Sequence, residues 1–344
     1  MKIAVINTGS SSLKFKLFDM KEQKVLTTIF IEHIGESGAK YANHKEALES
    51  IEIDFKGLDA IGHRVVHGGD KLTKATLITE DVIETIRDLI PLAPLHNPAN
   101  LEGIILSQNK AENVPNIAVF DTAFHATLAP EAYLYALPIE LSQKHHIRRY
   151  GFHGTSHAYL LKQAALILQK DLNETSLITL HLGNGASVCA IKNGQSIDTS
   201  MGFTPLEGLV MGTRSGDIDP AIIFYMEKEL GYTTDEIEMI LNKKSGLFGL
   251  TGSNDVREIV ENDDAKSRLA LEIMIRRLQK YIASYMVLLD EVDAIVFSGG
   301  IGENSAYIRE RVMSPKMFKN IKSFVIKTDE ELEIASECLK FLKE

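Results

Sequence analysis

Three short stretches combine glycine with small hydroxyl residues in a pattern that suits phosphate binding. They are NTGSSSLK at 7–14, HLGNGAS at 181–187 and FSGGIGENS at 297–305. Glycine lets the backbone approach an anion closely, successive N–H groups form an anion-binding nest, and Lys14 adds a positive charge. Each stretch alone also fits an ordinary tight connection after a strand. The presence of all three favours phosphate chemistry, although the chain has no P-loop motif.

Two arginines lie in surroundings that suit oxyanion binding. Arg64 stands between Ile61 and Val65 in GHRVVHGGD, and Arg214 lies in the glycine-rich segment GLVMGTRSGDIDP. A guanidinium grips a planar oxyanion with two donors, which a lysine cannot do. For either arginine taken singly, an ordinary salt bridge with an aspartate or glutamate is an equally good interpretation.

Two acidic residues are further candidates. Asp121 ends the apolar run AVF and can accept hydrogen bonds or orient a cationic partner, although a helix-capping role also fits. Glu330 lies in the first turn of the predicted last helix, where the helix dipole favours an acidic residue in any case.

The stretch RRYGFHGTSH at 148–157 is crowded with histidine and arginine. Because His145, His146, His153 and His157 are close in sequence, a zinc site has to be considered. No HExxH motif occurs, no cysteine lies nearby, and two adjacent arginines would repel a cation. From the residues alone, a structural histidine is the better interpretation.

Composition limits the class of protein. The net charge is −10 over 344 residues, which argues against a nucleic-acid partner. Only Cys189 and Cys338 are present, which indicates a reducing compartment rather than a disulfide framework. The first residues do not form a secretory signal, and no run approaches the about 18 apolar residues of a membrane span. We therefore expect a cytoplasmic protein with no membrane partner.

The elements that must position these residues follow a repeated pattern. Strand, small-residue turn, strand, hairpin and strand occur at the start and again from residue 176, where Asn193-Gly194 marks a tight hairpin. Thr79 is predicted to cap one helix, Asn97 another, and Thr328 with Glu331 to form a capping box for the last. The fold class predicted is α/β, with two duplicated domains and a ligand cleft between them.

Taken together, the motifs resemble the acetate kinase family. NTGSSSLKF, GHRVVHGG, APLHNPAN, VFDTAFHATL, YGFHGTSH, HLGNGASVCAI, MGFTPLEGLVMGTRSGDIDP, LTGSNDVRE and FSGGIGENS occur in the family's order and cover nearly the whole chain. The resemblance implies two ribonuclease-H-like domains of the actin-like ATPase type. The first would span 1–150 and the second 151–327, with the final helix, about 328–344, packing back on the first.

The resemblance also implies a role for each matched residue. Catalysis would involve Arg64, Asp121, His153 and Arg214, with His153 and Arg214 stabilising the transition state. The acyl substrate would contact Arg64, Val66, Leu95, Phe152 and Pro205. The metal would be bound near Asn7 and Glu330, the latter through water. The nucleotide would contact Ser12, Lys14, His181, Leu182, Gly183, Asn184, Gly185, Asp255, Val256, Arg257, Gly300, Ile301, Gly302 and Asn304.

The implied reaction is reversible phosphorylation of acetate by ATP, with Mg²⁺, or Mn²⁺ in its place, and a homodimeric enzyme. A kinase of the same family that prefers propionate or butyrate is one alternative. A non-catalytic nucleotide switch of the actin or Hsp70 kind is another, although it would have no use for the acyl-site residues. The chain is shorter than is usual for the family between Phe18 and Arg64 and between Ile308 and Thr328, which affects peripheral loops rather than the motifs.

Overall fold

The computed structural model describes residues 1–9, 11–36, 38–94, 96–262 and 264–344. The strands are β1 (Lys2–Thr8), β2 (Leu13–Asp19), β3 (Lys24–Ile31), β4 (Ala60–Val65), β5 (Thr76–Leu77), β6 (Asn116–Phe120), β7 (Leu177–Leu182), β8 (Ala186–Lys192), β9 (Gln195–Thr199), β10 (Ala294–Ser298) and β11 (Lys322–Val325). The helices are α1 (His44–Glu49), α2 (Glu80–Asp88), α3 (Asn97–Lys110), α4 (Pro130–Tyr133), α5 (Ile139–His145), α6 (Gly154–Leu168), α7 (Ala221–Lys228), α8 (Thr234–Lys243), α9 (Gly246–Thr251), α10 (Val256–Asn262), α11 (Ala265–Leu289), α12 (Gly299–Asn304), α13 (Ala306–Val312) and α14 (Glu330–Phe341).

The chain forms two compact units. Unit 1 comprises Met1–Ala126, Gly154–Tyr159 and Asp329–Glu344, and unit 2 comprises Thr127–His153 and Leu160–Thr328. These units are defined by packing alone, so the domain limits predicted at residues 150 and 327 stay predictions.

Each unit contains one mixed sheet, and the two sheets share a topology. In unit 1 the order is β3-β2-β1-β4-β6-β5, and in unit 2 it is β9-β8-β7-β10-β11. The first three strands of each sheet form an antiparallel meander. The next two strands, β4 and β6 or β10 and β11, extend the sheet in parallel. This correspondence confirms the predicted duplication, and β5 is an addition to the first copy.

The core of unit 1 lies on both faces of its sheet, because successive side chains of β1 point in opposite directions. Ile3 and Val5 pack with Ile334 and Cys338 of α14. A Cβ atom at Gly62 would lie 2.8 Å from both the Cys338 Sγ and an Ile334 methyl carbon. The absence of a side chain at this position of β4 therefore allows the last helix to pack closely on the sheet.

The core of unit 2 depends on the longest helix. α11 is a single 25-residue helix whose N-cap is Asp264. Leu278, Ile282 and Tyr285 are buried on this helix, which contacts β7, β8 and α9. Among the described residues, no helix is both long and apolar enough to cross a membrane.

Two of the predicted caps are wrong, and tertiary contacts explain both. α14 is capped by Asp329, which accepts a hydrogen bond from the Leu332 N–H, rather than by Thr328 and Glu331. Asn97 is the first residue of α3 rather than its cap, because its side chain binds the backbone N–H and carbonyl of His67. Thr79 caps α2 as predicted.

Candidate active site

Arg64 and Asp121 form the centre of a polar cluster in unit 1. Arg64 lies near the carboxyl end of β4 and Asp121 directly follows β6, so these parallel neighbours bring the two side chains to one edge of the sheet. Arg64 Nη2 lies 2.6 Å from Asp121 Oδ2, and Nε lies 3.1 Å from both carboxylate oxygens. Thr155 donates a further hydrogen bond to Asp121. The salt bridge that the sequence left open for Arg64 is therefore present.

Neighbouring carboxylates stabilise the positive charge of Arg64. Burial by itself would lower the pKa of the guanidinium, but Asp121 and Glu330 outweigh burial and raise that pKa above its ordinary value. Glu330 lies in the first turn of α14, as predicted, with Oε2 3.9 Å from Arg64 Nε. Asp121 is only 1% exposed, so Arg64 is its main electrostatic compensation.

Asn7 lies in β1, next to the same cluster. Its Oδ1 accepts a hydrogen bond from Arg64 Nη1 at 3.5 Å, and its Nδ2 donates to Glu331 Oε1 at 3.3 Å. Because the amide nitrogen is directed to a carboxylate, the amide oxygen is left as the acceptor toward Arg64.

Glu331 is a residue whose role the sequence reasoning missed. It is buried, and its carboxylate lies 2.8 Å from Lys14 Nζ and 3.1 Å from Lys16 Nζ. Burial would raise the pKa of Glu331, but these two lysines lower it below its ordinary value. The acidic run DEELE at 329–333 is the available signal, but for Glu331 it predicts only a capping role at the start of the last helix.

The first phosphate-type turn is closed by its own backbone. The Gly9 N–H donates to the Ser12 carbonyl at 2.8 Å, and His44 Nε2 lies 2.8 Å from the Gly9 carbonyl. The ammonium of Lys14, which was predicted to meet the nucleotide, is paired with Glu331.

Two residues of the predicted acyl pocket belong to the first part of the chain. Val66 is buried, and its N–H donates to Asn100 Oδ1 at 3.1 Å. Leu95 lies outside the described residues.

His153 is the central residue of the second cluster, in unit 2. Its φ is +56°, a left-handed conformation at the residue that caps α6, and Gly151 before it has a φ of +73°. Nδ1 lies 2.9 Å from Ser187 Oγ, and the imidazole stacks on that of His181 with 4.3 Å between ring centroids. The neighbouring Phe152 is buried. A left-handed non-glycine residue is uncommon, and such strain concentrates at functional sites.

Arg214 differs from Arg64 in its partners. Its Nη1 donates to the Pro205 carbonyl at 3.2 Å and lies 3.8 Å from Met211 Sδ. Within the described residues it makes no ion pair with a carboxylate, so the salt bridge that the sequence allowed is not formed. Burial lowers the pKa of this guanidinium. A half-buried cation held only by neutral acceptors suits a site that receives an anion.

The β7–β8 hairpin lies beside both groups. A Cβ atom at Gly185 would lie 3.5 Å from Arg214 Nη1 and 3.6 Å from His153 Nε2, so the arginine and the histidine face the space next to this glycine. The turn is closed by a hydrogen bond from the Gly183 N–H to the Gly185 carbonyl. Asn184 accepts from the Gly212 N–H at 2.9 Å, which fixes the arginine-bearing loop to the hairpin.

A cavity of about 720 Å³ lies in unit 2. The predicted nucleotide residues that line it are Gly183, Asn184, Asp255, Val256, Arg257, Gly300, Ile301 and Asn304. The remaining members in this unit, His181, Leu182, Gly185 and Gly302, are not part of its lining. Asn254, Val260, Glu261 and Tyr307 also line the cavity, and none of them stood out in the sequence.

Two carboxylates, Asp255 in the lining and Glu303 next to the lining residue Asn304 in sequence, accept hydrogen bonds from cavity segments. Asp255 accepts hydrogen bonds from the side chain and backbone of Arg257, which lower its pKa to about 2. At the start of α12, the Gly299 N–H donates to Glu303 at 3.1 Å. One backbone donor of the third glycine-rich turn is therefore bound within the protein.

Comparison with known proteins agrees with this arrangement. The sequence profile of the acetokinase family matches residues 2–340. A protein named acetate kinase from Sulfurimonas denitrificans is 54% identical over 388 aligned positions that cover 100% of both chains, so this 344-residue chain is the shorter. The crystal structure of Porphyromonas gingivalis acetate kinase is 38% identical, with a TM-score of 0.91 and 99% of both chains covered. A propionate kinase from Francisella tularensis is 43% identical, with a TM-score of 0.92 and 98% of both chains covered. The chain belongs to the acetokinase family.

Proposed function

We propose that this protein catalyses reversible transfer of the γ-phosphoryl group of ATP to acetate, which forms acetyl phosphate and ADP. The observation that carries the proposal is Arg214, a half-buried guanidinium that faces the same space as His153 and contacts only neutral acceptors in the described part of the chain. Family membership supports the same reaction, because the relatives from Sulfurimonas denitrificans and Porphyromonas gingivalis are both named acetate kinase.

The nucleophile in this reaction needs no general base. Acetate is already ionised at neutral pH, so one of its oxygens attacks the γ-phosphorus directly. The bond from that phosphorus to the β,γ-bridging oxygen breaks, and ADP leaves with the electron pair. Arg64 would bind the acetate carboxylate, and Asp121 would hold the guanidinium in the orientation that its bidentate contact gives.

Catalysis then depends on neutralising the three equatorial oxygens of the phosphoryl group in flight. His153 and Arg214 would donate hydrogen bonds to these oxygens. Arg214 is suited to this task because the electrostatic stabilisation of its charge increases most when a dianionic group replaces the neutral acceptors. The contact from His153 Nδ1 to Ser187 would fix the ring so that Nε2 points to the phosphoryl group.

The nucleotide would bind in the 720 Å³ cavity of unit 2. Its volume lies in the range of small-molecule sites. Asp255, Arg257 and the backbone around Gly300 would contact the nucleoside, while the hairpin at His181–Gly185 would contact the phosphates. Ser12 and Lys14 would approach the phosphates from the first glycine-rich turn, although the ion pair with Glu331 already balances the charge of Lys14.

Magnesium fits the oxygen donors of unit 1. Asn7 Oδ1 and the Glu330 carboxylate are the ligand types that Mg²⁺ prefers, and Mn²⁺ accepts the same donors. Within the described residues, no three His, Cys, Asp or Glu side chains form a metal cage. Such a sparse set suits an ion that arrives with nucleotide phosphates and keeps its waters. When bound, the ion supplies charge neutralisation to the phosphates, and Asn7 and Glu330 would hold it, the latter through water.

A propionate-preferring kinase is the second candidate, because the Francisella tularensis neighbour is a propionate kinase at 43% identity. The acyl pocket would consist of Val66, Leu95, Phe152 and Pro205, and one methylene changes discrimination by only about 1–3 kcal/mol. The values of kcat/KM for acetate, propionate and butyrate decide between these substrates. A clear preference for a longer acid would contradict the acetate assignment.

We also propose that the enzyme is a cytoplasmic homodimer. In α7, all eight residues are described and none is buried, although Ile222, Phe224 and Tyr225 are large and apolar. A second copy packed on this helix would remove these side chains from water. Light scattering of the purified protein should give about twice the mass of 38.2 kDa, and Phe224→Glu should shift it toward the monomer.

Trapping of acyl phosphate with hydroxylamine tests the reaction itself. The protein incubated with ATP, Mg²⁺ and acetate should yield acetohydroxamate, and omission of any one component should abolish it. If no hydroxamate forms while ATP still binds, the proposed function is wrong, and a non-catalytic nucleotide switch is favoured.

A further inference from the structure

Arg149 also lies in the histidine-rich stretch at 148–157. Its Nη1 donates to the backbone carbonyls of Thr199, Ser200 and Met201, at 2.8, 3.4 and 3.1 Å. Its Nη2 donates to Glu207 Oε1 at 2.6 Å. One side chain therefore binds both ends of the segment 199–207.

Glu207 is held from a second side as well. The Tyr135 hydroxyl donates a short hydrogen bond to Glu207 Oε2 and accepts one from the Phe203 N–H at 2.8 Å. A Cβ atom at Gly202 would lie 1.6 Å from Glu207 Oε2 and 2.1 Å from the Tyr135 hydroxyl. Only glycine fits where this carboxylate crosses the backbone.

The same segment is connected to His153. The N–H groups of Tyr150 and Gly151 both donate to the Gly202 carbonyl, at 3.0 and 3.3 Å. His153 follows two residues later in its left-handed conformation. Displacement of the segment 199–207 would therefore move the backbone from which the imidazole projects.

The segment is also connected to Arg214. Pro205, which lies between Gly202 and Glu207, supplies the carbonyl that accepts from Arg214 Nη1. At the other side of the loop, Arg277 donates to the Gly208 carbonyl at 2.6 Å, and Asp217 accepts from the Gly208 N–H at 2.7 Å. The loop that carries the arginine is thus fastened at Glu207 and again at Gly208.

From these contacts we propose that Arg149 and Glu207 form a positioning pair, which fixes the positions of His153 and Arg214 relative to each other. The proposal rests on the proposed function, in which these two residues bind the phosphoryl group in flight. Arg149 and Glu207 touch neither substrate nor reacting atoms. Their effect is exerted through the backbone of 199–207, because one rigid segment supplies contacts to both donors. Since a misplacement of about 1 Å can cost about 10²-fold in rate, such a pair controls kcat.

The test compares Arg149→Met with Arg148→Met. Arg148 is the adjacent arginine, and it contacts the Arg149 carbonyl and the Tyr133 ring rather than the segment 199–207. We expect Arg149→Met to lower kcat by about 10²-fold while KM for ATP stays within about threefold. Arg148→Met should keep both values within about threefold of the unmodified protein. A folded Arg149→Met variant with unchanged kcat overturns the proposal.

Two milder variants decide the matter if Arg149→Met does not fold. Glu207→Gln and Tyr135→Phe each preserve the shape of the side chain while weakening its hydrogen bonds, and each should lower kcat by about tenfold with KM for ATP unchanged. In a His153→Ala background, Arg149→Met should cause a smaller loss than in the unmodified protein, because one of the two groups it positions is gone while Arg214 remains. Full additivity in that background would mean a general structural role and would overturn the proposal.

One readout does not depend on activity. The imidazole NMR signals of His153, assigned with His153→Ala, should shift in Glu207→Gln and stay in place in Arg148→Met. If the unmodified protein makes no acetohydroxamate, the proposed function fails, and these signals still test the pair. Signals that are identical in Glu207→Gln and the unmodified protein contradict it.

Discussion

Arg64 of unit 1 and Arg214 of unit 2 have opposite electrostatic surroundings. Arg64 is bound by Asp121 and approached by Glu330, so its charge is compensated in the protein alone. Among the residues that the structure describes, Arg214 contacts neutral acceptors only, the Pro205 carbonyl and the Met211 sulfur. In the proposed function, this difference would divide the roles of the two residues. The compensated guanidinium of Arg64 would be held in place for the weakly charged carboxylate, while the guanidinium of Arg214 would be available for the more highly charged phosphoryl group.

The largest effect on activity is expected at Arg214. Arg214→Met should lower kcat by about 10³-fold, because an essential oxyanion donor is lost. The free energy of unfolding should not fall, since the variant removes a half-buried cation that has no carboxylate partner. Steady-state kinetics and urea unfolding measure the two quantities. Arg276→Met, at an exposed position of α11, is the matched control and should change neither. A marked loss of stability in Arg214→Met would mean that its role is structural.

At Arg64, in contrast to Arg214, we expect the substitution to reduce the stability of the fold. Arg64→Met leaves Asp121 buried without its ion pair, which should reduce the free energy of unfolding by about 3 kcal/mol. Because the Arg64 side chain is 20% exposed, the lower end of the range for buried pairs applies. Asp121→Asn in the same background should recover part of the stability by removing the uncompensated charge. If Arg64→Met and Arg214→Met have the same stability, the contrast between the two regions is wrong.

Loss of His153 should lower kcat less than loss of Arg214. His153→Ala should lower kcat by about 10²-fold and leave ATP affinity near normal, because the imidazole acts on the phosphoryl group only during transfer. Calorimetric titration with ATP and steady-state kinetics separate the two effects. An unchanged kcat would remove His153 from the mechanism.

A pH-dependent effect on stability is expected at a neutral group in unit 1. His63 is buried against Asn116, and burial lowers its pKa from 6.5 to about 4, although that hydrogen bond opposes the shift. Between these two values the unfolded chain binds a proton that the folded chain does not. The contribution of His63 is therefore complete above pH 6.5 and falls by about 1.4 kcal/mol per pH unit as the pH decreases toward 4.

Urea unfolding of the unmodified protein and of His63→Gln at several pH values measures this slope. The substitution should lower stability at pH 7 and make it less sensitive to pH between 6.5 and 4. Equal slopes in the two proteins would show that His63 is not the titrating group.

The sequence predicted what depends on local signals. The Asn193-Gly194 hairpin has a positive φ at both residues, as its type requires, and Thr79 caps α2. The duplicated topology also followed from the order of strands and turns. At the site, the end of the apolar run that carries Asp121 could be recognised from the sequence, whereas its place beside Arg64 follows from the parallel pairing of β4 and β6.

What the sequence could not predict depends on contacts between distant residues. Glu331 was interpreted as a capping residue, but its carboxylate binds Asn7, 324 residues away, together with Lys14 and Lys16. Arg149 looked like one half of an arginine pair, and its partner Glu207 is 58 residues further along. Both interactions are tertiary, so no local sequence pattern predicts them. For the same reason, only the structure distinguishes the paired Arg64 from the unpaired Arg214.

Binding of a planar phosphoryl mimic tests directly whether Arg214 contacts the group in transfer. Calorimetric titration of ADP in Mg²⁺ with acetate, with and without aluminium fluoride, isolates the interactions made only in the transition state. The unmodified protein should bind ADP much more tightly when aluminium fluoride is present. Arg214→Met should bind ADP alone normally and lose this enhancement. If Arg214→Met retains the full enhancement, Arg214 does not bind the phosphoryl group, and the account is contradicted.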